Sequence, residues 1–235
     1  MKPVLVLQHL TSDGPAYLGH WLREQGVVFE VCDTQAGQAY PAGVDAYGAL
    51  AVLGGEMSAN DDLVSLRQAE RLILAAIDRD IPVIGHCLGG QLMARALGAS
   101  VHDSPAPEIG WQTMQVADTP QARAWFGPAP ELTVFHWHFE AFGLPAGAMS
   151  LAASPACPHQ AFALGPHLAM QFHVELDETK LALWSASRDP HFLALQATCA
   201  SCQSGPVMRR QGKHALAEQQ RLAGRLYRRW LSSAR

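Results

Sequence analysis

The segment Gly85-His86-Cys87-Leu88-Gly89 puts a thiol where an apolar run, Ile81 to Gly85, meets a helical pattern, Leu88 to Leu97, stopped by Gly98. A buried strand that turns at once into a helix, with glycines beside the turn residue, is the nucleophile-elbow pattern with Cys in the Ser position. The turn holds its central residue in a strained backbone, and side chains at the flanking positions would collide with neighbouring chain. At a helix N-terminus, the dipole and unpaired N–H groups favour thiolate over thiol. The N–H of Leu88 points to where an oxyanion would develop. Cys87 is therefore the expected nucleophile, and a buried structural Cys on an ordinary βα turn is the competing reading.

A thiol nucleophile needs a general base, and the base needs an orienting group. Leu168 to His173 reads as a strand that runs into Val174-Glu175. Residues i and i+2 of an extended segment point to one side, so Glu175 can hydrogen-bond the His173 imidazole. That bond would set the tautomer and stabilise the imidazolium formed when Cys87 loses its proton.

The elements that must hold these groups are visible in the hydropathy pattern. Pro3 to Leu10, Val27 to Cys32, Tyr47 to Leu53 and Ile81 to Gly85 read as strands. Ala16 to Gln25, closed by Gly26, reads as a helix, as does Asp61 to Arg79. The second has apolar residues at Leu63, Leu66, Ala69, Leu72, Ile73 and Ala76, with Asn60 or Asp61 as cap. Wholly apolar strands joined by helices predict an open, mostly parallel α/β sheet with helices on both faces. Ligands in such sheets bind beyond the carboxyl ends of the strands, which marks His9 to Gly14, Gly54 to Glu56 and Gly85 to Gly89. Trp111 to Val116, Leu132 to His138, Met149 to Ala153, Gln160 to Ala163 and Leu168 to His173 are short runs between Pro and Gly, expected as added antiparallel strands. From Asp177 the pattern is helical. Its last segment carries Leu222, Leu226 and Trp230 on one face and Arg221, Arg225, Arg228 and Arg229 on another, the pattern of a packed terminal helix with a solvated basic side. The expected unit is one domain over residues 1–235, with a core over about 3–176 and a helical extension over about 177–235.

Composition agrees with a folded enzyme-sized domain. Of 235 residues, 49% are hydrophobic and 16% charged, against the profile of a disordered chain. The net charge of −4 disfavours nucleic-acid binding by bulk charge. No apolar run is long enough for a membrane span, and the N-terminus lacks signal-peptide features. Five scattered cysteines do not describe a disulfide framework, so a reducing, cytoplasmic setting is expected. Cys199-Ala200-Ser201-Cys202 has a zinc-knuckle spacing to which Cys157-Pro158-His159 could add, but one C-x-x-C alone is a weak signal, and no metal is assigned. His9, His20 and His102 read as surface or capping residues, His86 as packing behind the elbow, and Trp125, Trp184 and Trp230 as packing residues.

These motifs together resemble the class I glutamine amidotransferases, whose triad is Cys-His-Glu. GHCLGGQLMARALG is similar to that family's nucleophile segment, and QFHVE to its F-H-P-E segment. VLGGEMS is similar to its Gly-Gly-Pro strand, and HWHFEAFGLPAGAMSLAAS to its Ser-His-Gly-Asp segment with the following Leu-Pro-x-Gly. Glu56 and Val174 stand where the family has proline, and neither change removes a functional atom. The HWH and EIGW segments look more like stand-alone members related to the glutaminase of GMP synthase. The resemblance implies a flavodoxin-like sheet and catalytic Cys87, His173 and Glu175. It also implies an oxyanion hole from Gly55 and Leu88, and substrate contacts from Gly54, Gln91 and His138. The implied reaction hydrolyses the glutamine side-chain amide through a γ-glutamyl thioester on Cys87, releases ammonia and needs no cofactor. The chain holds no Walker-type loop and no Ser-Gly-Gly-x-Asp-Ser loop, so the ammonia acceptor would belong to a synthetase partner. A γ-glutamyl peptidase or hydrolase of the same fold, and a non-catalytic regulatory or binding relative, are the alternatives.

Overall fold

The computed structural model describes residues 1–234 of the chain. Four apolar runs become parallel strands: β1 (Val4–Gln8), β2 (Phe29–Asp33), β3 (Ala49–Val52) and β4 (Val83–His86), paired in the order β2-β1-β3-β4. Every residue of β1, β3 and β4 is buried, since both sheet faces are covered. The pleat sends alternate side chains to the two layers. Val4, Val6, Ala49 and Ala51 meet Leu18, Trp21 and Leu22 of α1 (Ala16–Glu24). Leu5, Leu7, Leu50 and Val52 meet the other layer, formed by α2 (Val64–Asp78) and α3 (Leu88–Ala96).

The second half of the sheet is antiparallel. β5 (Val101–Val116) pairs with β6 (Glu131–Phe142), with α4 (Pro120–Phe126) in the connection. β7 (Met149–Ala153), β8 (Ala161–Leu164) and β9 (His167–Met170) form a meander. β9 then lies parallel to β4, so one nine-stranded sheet results, in the order β2-β1-β3-β4-β9-β8-β7-β5-β6. Helices α5 (Glu178–Ser185), α6 (Pro190–Thr198) and α7 (Gly205–Leu231) follow. On α7, Leu222, Leu226 and Trp230 are buried together with Tyr227, and Arg229 lies over the Trp125 ring at 4.8 Å. Trp230 Nε1 donates to Pro82 O at 3.0 Å, tying the helix to the start of β4.

Three differences from the sequence reading have a clear physical reason. β5 begins ten residues earlier than Trp111 because its register shifts between Asp103 and Glu108. That irregularity absorbs Pro105 and Pro107, which cannot donate to a regular ladder and read locally as breakers. Helix α2 starts at Val64 with no side-chain cap, and Asp61 instead accepts from Ser58 N at 3.1 Å within the preceding turn. β9 ends at Met170, so His173 and Glu175 lie on a turn past the strand rather than on its extended end.

Candidate active site

Cys87 occupies the single residue between β4 and α3. Its backbone has φ 50° and ψ −110°, a conformation that costs a side-chain-bearing residue about 1–3 kcal/mol. The surroundings hold it there. Cys87 N donates to Met170 O at 2.8 Å, and a Cβ on Gly85 would come within 2.6 Å of the Gly89 carbonyl. A Cβ on Gly89 would strike Val52 O, so both glycines are required by close approach of backbone. Cys87 is 6% exposed.

His173 meets this thiol across Gly54. A Cβ on Gly54 would lie 3.0 Å from His173 Cε1 and 3.7 Å from Cys87 Cβ, so a side chain here would be wedged between base and nucleophile. His173 Nδ1 is 2.7 Å from Glu175 Oε1, both residues being buried. The carboxylate therefore fixes Nδ1 as the protonated nitrogen and leaves Nε2 for chemistry. Burial opposes the imidazolium, but Glu175 and Cys87 outweigh it and raise His173 to about 10. Burial also opposes the Glu175 charge, yet His173, His86 and Lys180 hold that carboxyl well below the usual range.

The turn that carries His173 is braced from all sides. His173 N donates to Phe135 O at 2.8 Å. Gln219 of α7 accepts from Phe135 N at 2.7 Å and donates to His173 O at 3.0 Å, joining turn, β6 and terminal helix. Trp184 of α5 sets its ring edge-on to the imidazole, with centroids 4.7 Å apart. Lys180, one turn earlier on α5, is buried, with its Nζ 3.7 Å from Glu175 Oε1, 2.5 Å from Asp13 Oδ1 and 2.9 Å from Gly14 O. Two buried carboxylates thus share one buried ammonium.

Cys87 Sγ also donates to Trp137 O at 3.8 Å and lies 3.6 Å from Gln171 Nε2. Gln91 donates to Gln171 Oε1 at 3.3 Å and to Glu140 O at 3.1 Å, so it reaches the thiol through Gln171. Gly55 packs so close to Leu88 that a Cβ would fall 2.8 Å from Leu88 Cδ2, which sets the Gly54-Gly55 backbone against the first turn of α3.

The residues expected from the sequence separate into two groups. Cys87, His173, Glu175, Gly54, Gly55, Leu88 and Gln91 converge. His138 is held within the β5–β6 pair instead of at the thiol: its Nδ1 is 3.1 Å from Glu140 O and its Nε2 3.2 Å from Glu108 Oε2. Its strand nevertheless supplies Trp137 O to the thiol. His9 is buried rather than exposed, 3.1 Å from Tyr40 OH, and burial lowers it to about 4. Trp184 touches the imidazole, which its reading as a packing residue did not anticipate. Cys199 and Cys202 both approach Pro107 O at 3.8 Å, whereas Cys157 donates to His159 O at 3.4 Å, and among the described residues these cysteines form no three-ligand cluster. Asp13, Gln171, Lys180 and Gln219 were missed. Asp13 did lie in a loop marked by the strand-end rule, and Gln171 stands two residues before His173. Lys180 and Gln219 had no local signal.

The matched family model, "Glutamine amidotransferase class-I", covers residues 17–182, a span that contains Cys87, His173, Glu175 and Lys180. The chain belongs to the class I glutamine amidotransferases. It is 34% identical over 191 residues to the glutamine amidotransferase-like protein YfeJ of Salmonella typhimurium, covering 76% of this chain and 79% of that one. It is 31% identical over 163 residues to a subunit of the glutamine-hydrolysing GMP synthase of Thermoplasma acidophilum, covering 68% and 77%. A glutamine amidotransferase crystal structure from Methylobacillus flagellatus superposes with a TM-score of 0.93 at 34% identity, covering 100% of this chain and 96% of that one. As an amidotransferase-family chain it carries an α/β sheet of the expected kind, and among the described residues no helix is long and apolar enough to cross a membrane.

Proposed function

We propose that this amidotransferase-family chain hydrolyses the side-chain amide of glutamine through a γ-glutamyl thioester on Cys87 and releases ammonia. The observation that carries the reading is the convergence of an elbow thiol and a carboxylate-paired imidazole across the bare face of Gly54. The Cys87 thiolate attacks the carboxamide carbon, and the electron pair of the C=O bond moves to oxygen. The backbone N–H groups of Leu88 and Gly55 receive that oxyanion, and each such donor contributes about 3 kcal/mol of barrier lowering. His173, held as imidazolium by Glu175, gives its proton to the departing nitrogen, and ammonia leaves as the C–N bond breaks. The neutral His173 then takes a proton from water, which attacks the thioester. Collapse returns the thiol and frees glutamate.

Gly54, Gln91 and the β6 backbone at Trp137 line the side where the substrate would lie, and His138 serves by fixing that backbone. Ammonia needs an acceptor, and a synthetase partner is the arrangement that the GMP synthase relative suggests. A substrate panel of glutamine and γ-glutamyl peptides, with Cys87→Ser as control, tests the proposal. Glutamine should release ammonia and an electrophilic glutamine analogue should label Cys87. A peptide turned over with far higher kcat/KM than glutamine, or no adduct at Cys87 in the folded protein, would overturn it.

A further inference from the structure

We propose that Glu108, His136 and His138 form a binding site for one divalent transition-metal ion of the zinc type, inside the β5–β6 pair. His136 and His138 are two residues apart on β6, so their side chains share a face. Glu108 is the direct cross-strand partner of His138, and His136 pairs with Gly110, two residues further along β5. One donor atom from each of the three lies within 4.8 Å of the others, and all three residues are buried. The imidazole centroids of His136 and His138 are 5.6 Å apart. An ion with ligand bonds of about 2.0–2.2 Å would draw the three donors slightly inward.

The hydrogen bonding of the cluster points to a cation. His138 Nδ1 faces the Glu140 carbonyl oxygen, which can only accept, so that nitrogen carries the proton. The Nε2 lone pair of a neutral His138 then confronts Glu108 Oε2 at 3.2 Å, in a geometry that makes no hydrogen bond. A proton on Nε2 would answer that contact alone. It would leave both nitrogens of His136, fully buried, without any partner. One metal ion accepts a lone pair from each ring and neutralises the carboxylate. The groups behind the ligands suit this role. The Glu140 carbonyl orients His138, and Gln160 Nε2 donates to Glu108 Oε2 at 2.5 Å, as outer partners of metal ligands do. Trp137, between the two histidines, carries the carbonyl that meets Cys87 Sγ, so the ion would brace the wall of the proposed active site without entering its chemistry.

The test is titration of the full chain, stripped of metal by a chelator, with Co²⁺ and then Zn²⁺. The expected result is one Co²⁺ per chain with tetrahedral d–d absorption and no thiolate charge-transfer band, displaced by Zn²⁺, with Zn²⁺ raising Tm. His136→Leu replaces an unpartnered buried ring with an apolar side chain and should weaken binding by about a hundredfold or more, with Glu108→Gln a second, independent ligand loss. Absence of stoichiometric Co²⁺ or Zn²⁺ binding by the folded wild-type chain would overturn the proposal whatever the variants do. So would equal binding by wild type and a folded His136→Leu, or a thiolate band showing that cysteine is the ligand. None of these readouts depends on glutamine turnover.

Discussion

Cys87 and His173 gain their properties from neighbours that differ in kind. The thiol is placed by backbone strain and steric exclusion, the imidazole by one short bond to a buried carboxylate. Glu175→Gln keeps the shape of that bond but loses the charge that supports imidazolium. We expect kcat for glutamine hydrolysis to fall by about 10³–10⁴-fold with little change in KM, since an amide can also select the wrong tautomer. Steady-state kinetics at neutral pH check this. The same pair makes stability depend on pH, with opposite signs at its two members. Glu175 is depressed in the fold, so its contribution is present above the ordinary carboxylate range and is lost progressively as pH falls through that range and below it. His173 is raised to about 10, so its contribution is complete below about 6.5 and is lost as pH climbs toward 10. Urea denaturation at pH 6.5 and pH 9.5 should therefore show a larger decline for wild type than for His173→Gln.

At the scale of elements, the turn that carries His173 depends on helices that follow it in the chain. α5 delivers Lys180 and Trp184, and α7 delivers Gln219. Replacing Lys180 with Met would leave Asp13 and Glu175 buried without their shared cation, at a cost of about 3–5 kcal/mol. The Glu175 carboxyl would then protonate at higher pH, and the acid limb of kcat/KM should shift upward. A loss confined to stability, with an unmoved pH profile, would mean that Lys180 acts only in packing. The register irregularity in β5 has a comparable positional effect. It aligns Glu108 with His138, an alignment that an unbroken ladder from Val101 would have displaced.

The whole molecule is a sheet whose two halves obey different rules, parallel and doubly covered on one side, antiparallel on the other. The elbow sits where the two halves join, because β9 pairs with β4 and carries the chain directly into the His173 turn. α7 spans the face behind that junction, burying Tyr227 and Trp230. Trp230→Ala should cost about 3–5 kcal/mol through the cavity and the lost bond to Pro82 O. Thermal denaturation measures that cost. Activity well below the new Tm should be nearly unchanged, because Trp230 touches no group of the site.

Local physics in the chain was enough to place the elbow and the four parallel strands, and to pair His173 with Glu175, although the pair forms on a turn and not on the extended strand end that the spacing assumed. Each of these depends on neighbours within a few residues: glycines that permit a close turn, a two-residue spacing, a run of side chains buried on both faces. It was also enough to mark the loop holding Asp13. Sequence spacing could not disclose that Lys180 neutralises two carboxylates, that Gln219 links β6 to the histidine turn, or that His138 faces Glu108. Those partners are brought together by strand order and helix docking across the fold, and a buried charge finds its counter-charge only when distant segments close around it.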